Sequence, residues 1–366
     1  MRRLLFVALL FMPPFAVAQS AKSNWQVEWD NVLQAAKKES RIVVSIPASA
    51  ELRKKMEVVF TKRYGITLEL VAARGSENIH KMVEEYKAGV HYFDLHIGGT
   101  SSIVTGPLAE GMLEPVAPWM LLREVREPKN WWGGHIWADK AGGYIYVFLA
   151  YLTETLWYNT KWVRPEEVTS YDDLLRPKWR GRIAILDPRT PGSGESTWSF
   201  LWRIKGEEYL KKLVAQDLIV GRNQRQLAET VAKGKATLSI GLSYYTFLPF
   251  LKAGLPLKPL PAPKEGIYAS SGSGNLVILK KAPHPNAARV YVNWLLSQEG
   301  QEVFVEATGQ STRRFDVDTR WTKEFGHIAA KEVLTPERFF ELENQSEEIV
   351  NKVRVPATAL ARKLLD

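Results

Sequence analysis

Residues 41–102 read RIVVSIPASAELRKKMEVVFTKRYGITLELVAARGSENIHKMVEEYKAGVHYFDLHIGGTSS, and the order of patterns in this stretch decides the fold. Arg41 to Ser45 is a short β-branched run stopped by Pro47, which predicts a strand and a turn. Ala50 to Tyr64 has the spacing of a long amphipathic helix, and Gly65 supplies its stop. Ile66 to Val71 predicts a second strand, and Ser76 to Ala88 a second helix with an acidic first turn. Phe93 to Ile97 predicts a third strand, running into Gly98-Gly99-Thr100-Ser101-Ser102. This succession calls for an α/β fold, with a mostly parallel sheet and helices on both faces. Ligands bind such sheets beyond the carboxyl ends of the strands. The loops at residues 47–50, 74–77 and 98–102 are therefore expected to share one edge.

A second unit of the same kind follows. Residues 143–152 and 155–158 are strand-like, 171–175 form a short helix and 182–186 a strand. Helices are expected at 197–205 and 207–214, either side of Gly206, and at 227–233, with a strand at 236–240. Leu255 to Pro263 carries four prolines and reads as extended chain. Residues 273–279 read as a strand and 286–297 as an amphipathic helix. The two halves share a pattern but no sequence repeat.

The amino terminus places the protein. Arg2 and Arg3 precede an apolar run from Leu4 to Phe11, and Ala16-Val17-Ala18 has the small residues of a signal-peptidase site. The run is shorter than the roughly 20 residues a membrane span requires. Residues 1–18 are thus expected to be a cleaved signal peptide, and the absence of cysteine means no lipid-anchored cysteine follows it. A soluble periplasmic protein is expected. The remaining 348 of the 366 residues are enough for two lobes with separate cores.

The same absence of cysteine excludes disulfides, thiolate metal sites and a cysteine nucleophile. Net charge is +9, or about +7 without the leader. The basic residues are dispersed and the protein is exported, so nucleic acid is not the expected partner. The six histidines, at 80, 91, 96, 135, 284 and 327, form no zinc motif, and His80 is expected on an exposed helix face. Gly194-Glu195-Ser196-Thr197-Trp198 fails the nucleophile-elbow pattern at its last position. Gly272 to Val277 fails the dinucleotide-binding glycine pattern. No enzyme is indicated, and an exported hydrolase is the weaker alternative.

Four blocks carry a family resemblance. Leu156-Trp-Tyr-Asn-Thr-Lys161 is followed by Tyr171-Asp-Asp-Leu-Leu-Arg-Pro-Lys-Trp-Arg-Gly-Arg182, then by Asp187-Pro188 and a small-residue turn. The late helix 287–301 completes the set. Together they resemble the periplasmic solute-binding proteins of ABC importers, and within them the ferric-iron-binding type, over about residues 40–320. The resemblance implies two α/β lobes, joined by two crossover strands, that close on a ligand. The lobes would be residues 24–143 with 272–322, and 144–271 with 323–366. It also implies a monomer that delivers a small ligand to a membrane permease and, through it, to an ATPase. A role as ligand presenter to a sensor would use the same fold.

Thr190 to Thr197 leads from a strand into a helix. Its free N–H groups, glycines and hydroxyls suit an anion, which makes Gly192, Ser193, Gly194, Ser196 and Thr197 candidate ligand-binding residues. A simple helix cap by Ser196 or Thr197 fits the same residues, and Glu195 is an awkward neighbour for an anion. Ser49, Arg74, Thr100, Ser101 and Ser102 complete the candidate edge. In iron-binding relatives two adjacent tyrosines hold Fe³⁺ as phenolates. Tyr244 and Tyr245 stand at that place, with Glu77 where some relatives carry a metal carboxylate. Ser49 stands where those relatives have a histidine. Fe³⁺ as cargo, with a bound anion, is one expectation; a small organic anion without metal is the other. Trp131 to Trp137 fits either an aromatic cleft wall or core, and Arg74 and Arg313-Arg314 fit either an anion contact or a solvated surface.

Overall fold

The computed structural model describes residues 24–366 except 74 and 155, so the expected signal peptide lies outside the described residues. Helix α1 (Asn24–Glu39) precedes β1 (Arg41–Ile46), α2 (Ala50–Tyr64), β2 (Thr67–Ala72), α3 (Gly75–Lys87), β3 (Leu95–Gly98) and α4 (Thr100–Ile103). Helix α2 starts where the Ser49 hydroxyl accepts the Leu52 N–H, and stops where Gly65 turns left-handed at φ 68°. Short β4 (Leu113–Glu114), the one-turn α5 (Arg123–Arg126), β5 (Ile136–Trp137) and β6 (Tyr146–Val147) complete the amino-terminal part of this lobe.

The chain crosses through β7 (Tyr151–Thr153) into the second lobe. That lobe holds β8 (Leu156–Asn159), β9 (Ile183–Leu186), α6 (Ser193–Val214), β10 (Ile219–Gly221), α7 (Gln224–Ala232), β11 (Leu238–Ile240), α8 (Tyr244–Lys252) and β12 (Leu257–Pro259). Helix α6 breaks at Gly206, at φ 77° and ψ 179°, giving the two helices expected from sequence. The chain returns through β13 (Tyr268–Ser270) to β14 (Asn275–Leu279), α9 (Pro285–Leu296) and α10 (Gln298–Thr308) of the first lobe.

The first sheet has the order β2-β1-β3-β14-β6-β5 and the second β10-β9-β11-β8-β12. Each has a parallel centre, β2-β1-β3 and β10-β9-β11, extended by antiparallel strands. The antiparallel members follow from the path: β14 enters the first sheet from the other lobe and so runs against β3. Ile42, Val44, Phe60 and Trp294 are fully or almost fully buried in one core, and Tyr171, Ile183, Trp198 and Leu210 in another.

Between the lobes lies a third, antiparallel sheet, β13-β7-β15, built from both crossover strands and β15 (His327–Ala329). After β15 come α11 (Ala330–Val333), α12 (Pro336–Leu342), α13 (Glu347–Ile349) and α14 (Val355–Leu365). The last helix packs on α6, where the Trp198 indole donates to the Ala357 carbonyl at 2.9 Å. The sequence reading drew none of these carboxyl-terminal helices.

Candidate functional site

The parallel strands of both lobes point their carboxyl ends at one cleft. The first lobe contributes Pro47 and Ala48 after β1, Gly98 and Gly99 at β3, and Ser101 and Ser102 on α4. The second contributes Asp187 after β9, the turn Thr190 to Ser193 with Ser196 and Thr197 on α6, and Gly241 to Ser243 with Tyr245 after β11. The hinge sheet supplies Tyr151, Thr153, Glu154, Tyr268 and Ser270, and the carboxyl-terminal segment adds Gln345 and Arg354. This is the placement that open α/β sheets favour.

At the start of α6 most hydroxyls are already committed as donors. Ser196 donates to Gly192 O at 3.0 Å, Thr197 to Ser193 O at 3.1 Å, and Ser193 to Gly241 O at 2.6 Å. The donors left at this end are the first-turn N–H groups, which have no intrahelical partner. Glu195 does not face a ligand. Its buried carboxylate pairs with buried Arg354 at 2.6 Å and accepts from Thr358 at 3.3 Å. It also accepts from Ser101 of the other lobe at 2.9 Å, so one charge-balanced pair ties the lobes together.

Tyr244 and Tyr245, a few residues past β11, open α8. Successive helical residues point about 100° apart, and the two side chains part company. Tyr244 stacks on Phe325 at 4.1 Å and sits in the second lobe's core, whereas Tyr245 lines the cleft. Two further phenols, Tyr151 and Tyr268, stand on the crossover strands and line the same cleft. Burial raises all three cleft phenols above their ordinary pKa, and Tyr151 is raised further by Tyr268 and Tyr245.

The other sequence-derived candidates fall elsewhere. Ser49 is buried as the cap of α2. Glu77 is exposed on the first turn of α3, and Thr100 is buried at the start of α4; neither lines the cleft. Gly194 is wedged against backbone, as an added Cβ would lie 2.2 Å from Leu186 O. Arg74 lies outside the described residues. Arg313 and Arg314 are buried: Arg313 donates to the carbonyls of Val147, Trp132 and Gly134, and Arg314 pairs with Asp316. Trp131 and Trp132 are core, packed on Tyr146 and Phe339. His80 is exposed, as expected.

Two carboxylates at the cleft differ in company. Burial pushes Asp187 up, but hydrogen bonds from Arg189 and Arg222 outweigh it and hold the group at about 2. Burial pushes Glu154 to about 7, relieved only by the charge of Lys323. In the unfolded chain Glu154 would ionise near 4.5, so the folded state loses stability as pH rises from about 4.5 to 7. Glu154→Gln is therefore expected to stabilise the unliganded protein by about 1–3 kcal/mol at pH 8 and by nothing near pH 4. Urea midpoints at the two pH values check this; equal differences at both would refute it.

Comparison with known proteins gives the geometry a context. Residues 138–309 match the family model for bacterial extracellular solute-binding protein. Iron-bound HitA from Pseudomonas aeruginosa superposes with a TM-score of 0.64 over 88% of this chain and 99% of its own, at 18% identity. This chain has the two-lobed fold of the periplasmic binding proteins. A second solved solute-binding protein, AfuA from Actinobacillus pleuropneumoniae with fructose-6-phosphate bound, superposes with a TM-score of 0.64 over 89% of this chain and 98% of its own, at 20% identity. Iron uptake protein A1 of Synechocystis sp. is 22% identical over 285 residues, covering 66% of this chain and 67% of the relative. At such identities the structures share the fold, and the cargo has to be argued from the cleft.

Proposed function

We propose that this protein is the periplasmic solute-binding receptor of an ABC importer, and that its cargo is a small, hydroxyl-bearing organic anion handed to a membrane permease. The observation that carries this reading is the make-up of the cleft. Backbone ends, hydroxyls, amides and phenols from both lobes and the hinge surround it, with the amino-terminal turn of α6 on one side. Such groups recognise a polar organic ligand by many directed hydrogen bonds, and a helix amino terminus favours its negative end. Of the residues that an iron site was expected to use, Tyr244 and Glu77 do not line the cleft, and Ser49, at the position of the relatives' histidine, caps α2. Among the described residues no cluster of three or more His, Asp or Glu is placed to hold a metal.

Native mass spectrometry of protein purified from periplasm is the direct test, with the retained molecule expected to be an organic acid. Adding that molecule to stripped protein is expected to lower the radius of gyration as the lobes close. Retention of a neutral sugar or a polyamine, with no acid bound, would defeat the reading.

Ferric iron is the second reading, favoured by three phenols, Tyr151, Tyr245 and Tyr268, in one cleft. A hard trivalent ion prefers oxygen donors and can displace a phenol proton. Titration with chelated Fe³⁺ would then give a visible phenolate charge-transfer band that Tyr245→Phe weakens. A colourless titration leaves the organic anion.

A further inference from the structure

We propose that the carboxylate of Glu154 receives a cationic end of the cargo, so that the cargo is a small zwitterion: an organic acid that also carries an ammonium group. This rests on the organic-anion reading of the same cleft and narrows it. The argument is one of charge pairing. Asp187 is held by Arg189 and Arg222, each at 2.8 Å, and Glu195 by Arg354 at 2.6 Å. Glu154 lines the same cleft, and no hydrogen bond or ion pair among the described residues ends on its carboxylate. Lys323, which acts on it electrostatically, is exposed and forms no ion pair with it.

The position of Glu154 is nonetheless firmly built. It follows directly on β7, whose residues pair with β13 on one side and β15 on the other. Its own N–H donates to Gly326 O at 2.8 Å. Gly326 is left-handed at φ 81°, and a Cβ there would come within 3.2 Å of the Glu154 carboxylate, so a glycine makes the room this side chain occupies. A half-buried carboxylate without a partner is costly, and buried polar groups in native proteins are almost always satisfied. A ligand that brings the missing charge removes the cost. The phenol rings of Tyr151 and Tyr245 line the same cleft and suit the same guest, because an ammonium group is attracted to an aromatic face. The acid end would lie towards the first turn of α6, where the free N–H groups are.

Matched ligand pairs test this on the full mature chain by calorimetry. Serine and glycerate differ in an ammonium against a hydroxyl, and so do glucosamine 6-phosphate and glucose 6-phosphate. In at least one pair the ammonium member is expected to bind about tenfold or more tightly, equivalent to a charge-assisted contact. Glu154→Gln should bring that ratio to near one. Glu154→Asp, which keeps the charge, should retain a preference. Equal binding of both members, or a preference that survives Glu154→Gln, overturns the inference and leaves the organic-anion reading standing. Failure of all four acids, with Fe³⁺ alone bound, overturns both.

Discussion

Arg354→Met should destabilise the folded protein by about 3–5 kcal/mol, the range found when one partner of a buried ion pair is removed. Arg354 is 1% exposed and Glu195 2%, and they meet at 2.6 Å. Without the guanidinium, the Glu195 carboxylate keeps the hydroxyls of Ser101 and Thr358 and the Gly192 N–H at 3.4 Å. The same substitution also frees Gly192 O, Asn344 O and the Gln345 side chain, all of which accept from Arg354. Because Glu195 is also the acceptor for Ser101 across the cleft, the loss reaches the contact between lobes. A larger radius of gyration in unliganded protein is expected alongside the fall in urea midpoint. The double variant Arg354→Met with Glu195→Gln should recover part of the loss, since the cost lies in the uncompensated charge. A single variant within about 1 kcal/mol of the parent protein would show that the pair is not sealed from water as the structure has it.

The first lobe was legible because its signals are local. Helical spacing closed by Gly65 and β-branched runs of about six residues fixed α2 at Ala50–Tyr64 and β1 and β2 to within a residue or so. The small-residue turn before α6 and the break at Gly206 were legible for the same reason. The crossover through residues 143–152 was read as one strand. It divides into β6 in the first sheet and β7 in the hinge, because the apolar run there satisfies two different sheets in turn.

The site was legible only where it lies at the ends of parallel strands. Ser101 and Ser102 came from that rule, Gly192, Ser193, Ser196 and Thr197 from the small-residue turn into a helix, and Tyr245 from the family resemblance, and all of them line the cleft. Tyr244 did not follow, because two adjacent aromatics carry no signal for whether they close a strand or open a helix; in α8 one of them must turn to the core. Arg313 and Arg314 look like surface cations in the sequence, but Arg313 is buried on the carbonyls of Val147, Trp132 and Gly134, and Arg314 on Asp316 and the Leu296 carbonyl. Glu154, Gln345 and Arg354 were missed for a different reason. They reach the cleft through the hinge and the carboxyl-terminal segment, whose helices are short and whose partners lie as far as 159 residues away in sequence, as for Glu195 and Arg354. Glu154 had one available signal, an acidic residue in the middle of an apolar crossover.

Gly194→Ala is expected to cost about 1–3 kcal/mol, the range for forcing a methyl group into a packed interior. It should also weaken ligand binding about tenfold or more, the equivalent of roughly 1.4 kcal/mol. The cause is contact between backbones. A Cβ at Gly194 would stand 2.2 Å from Leu186 O and 2.8 Å from Leu186 C, and a Cβ at Gly241 would stand 2.7 Å from the Gly194 Cα. The ends of β9 and β11 and the start of α6 therefore touch through glycines, with no flexible side chain to yield. A methyl group at Gly194 has to lift the first turn of α6 off the strand ends, and that turn carries Ser193, Ser196 and Thr197 of the cleft wall. Gly192 is the control. Nothing lies within 4 Å of its missing side chain, though its φ of 151° is costly for other residues, so Gly192→Ala should strain the turn without pushing α6 away. Urea midpoints and ligand affinity measured on both variants separate the two effects. Gly194→Ala with parental stability and affinity would mean that α6 can move aside freely. The first turn of α6 would then be a poorly fixed anion site, because a helix end that shifts at no cost cannot hold its N–H groups ready for a ligand.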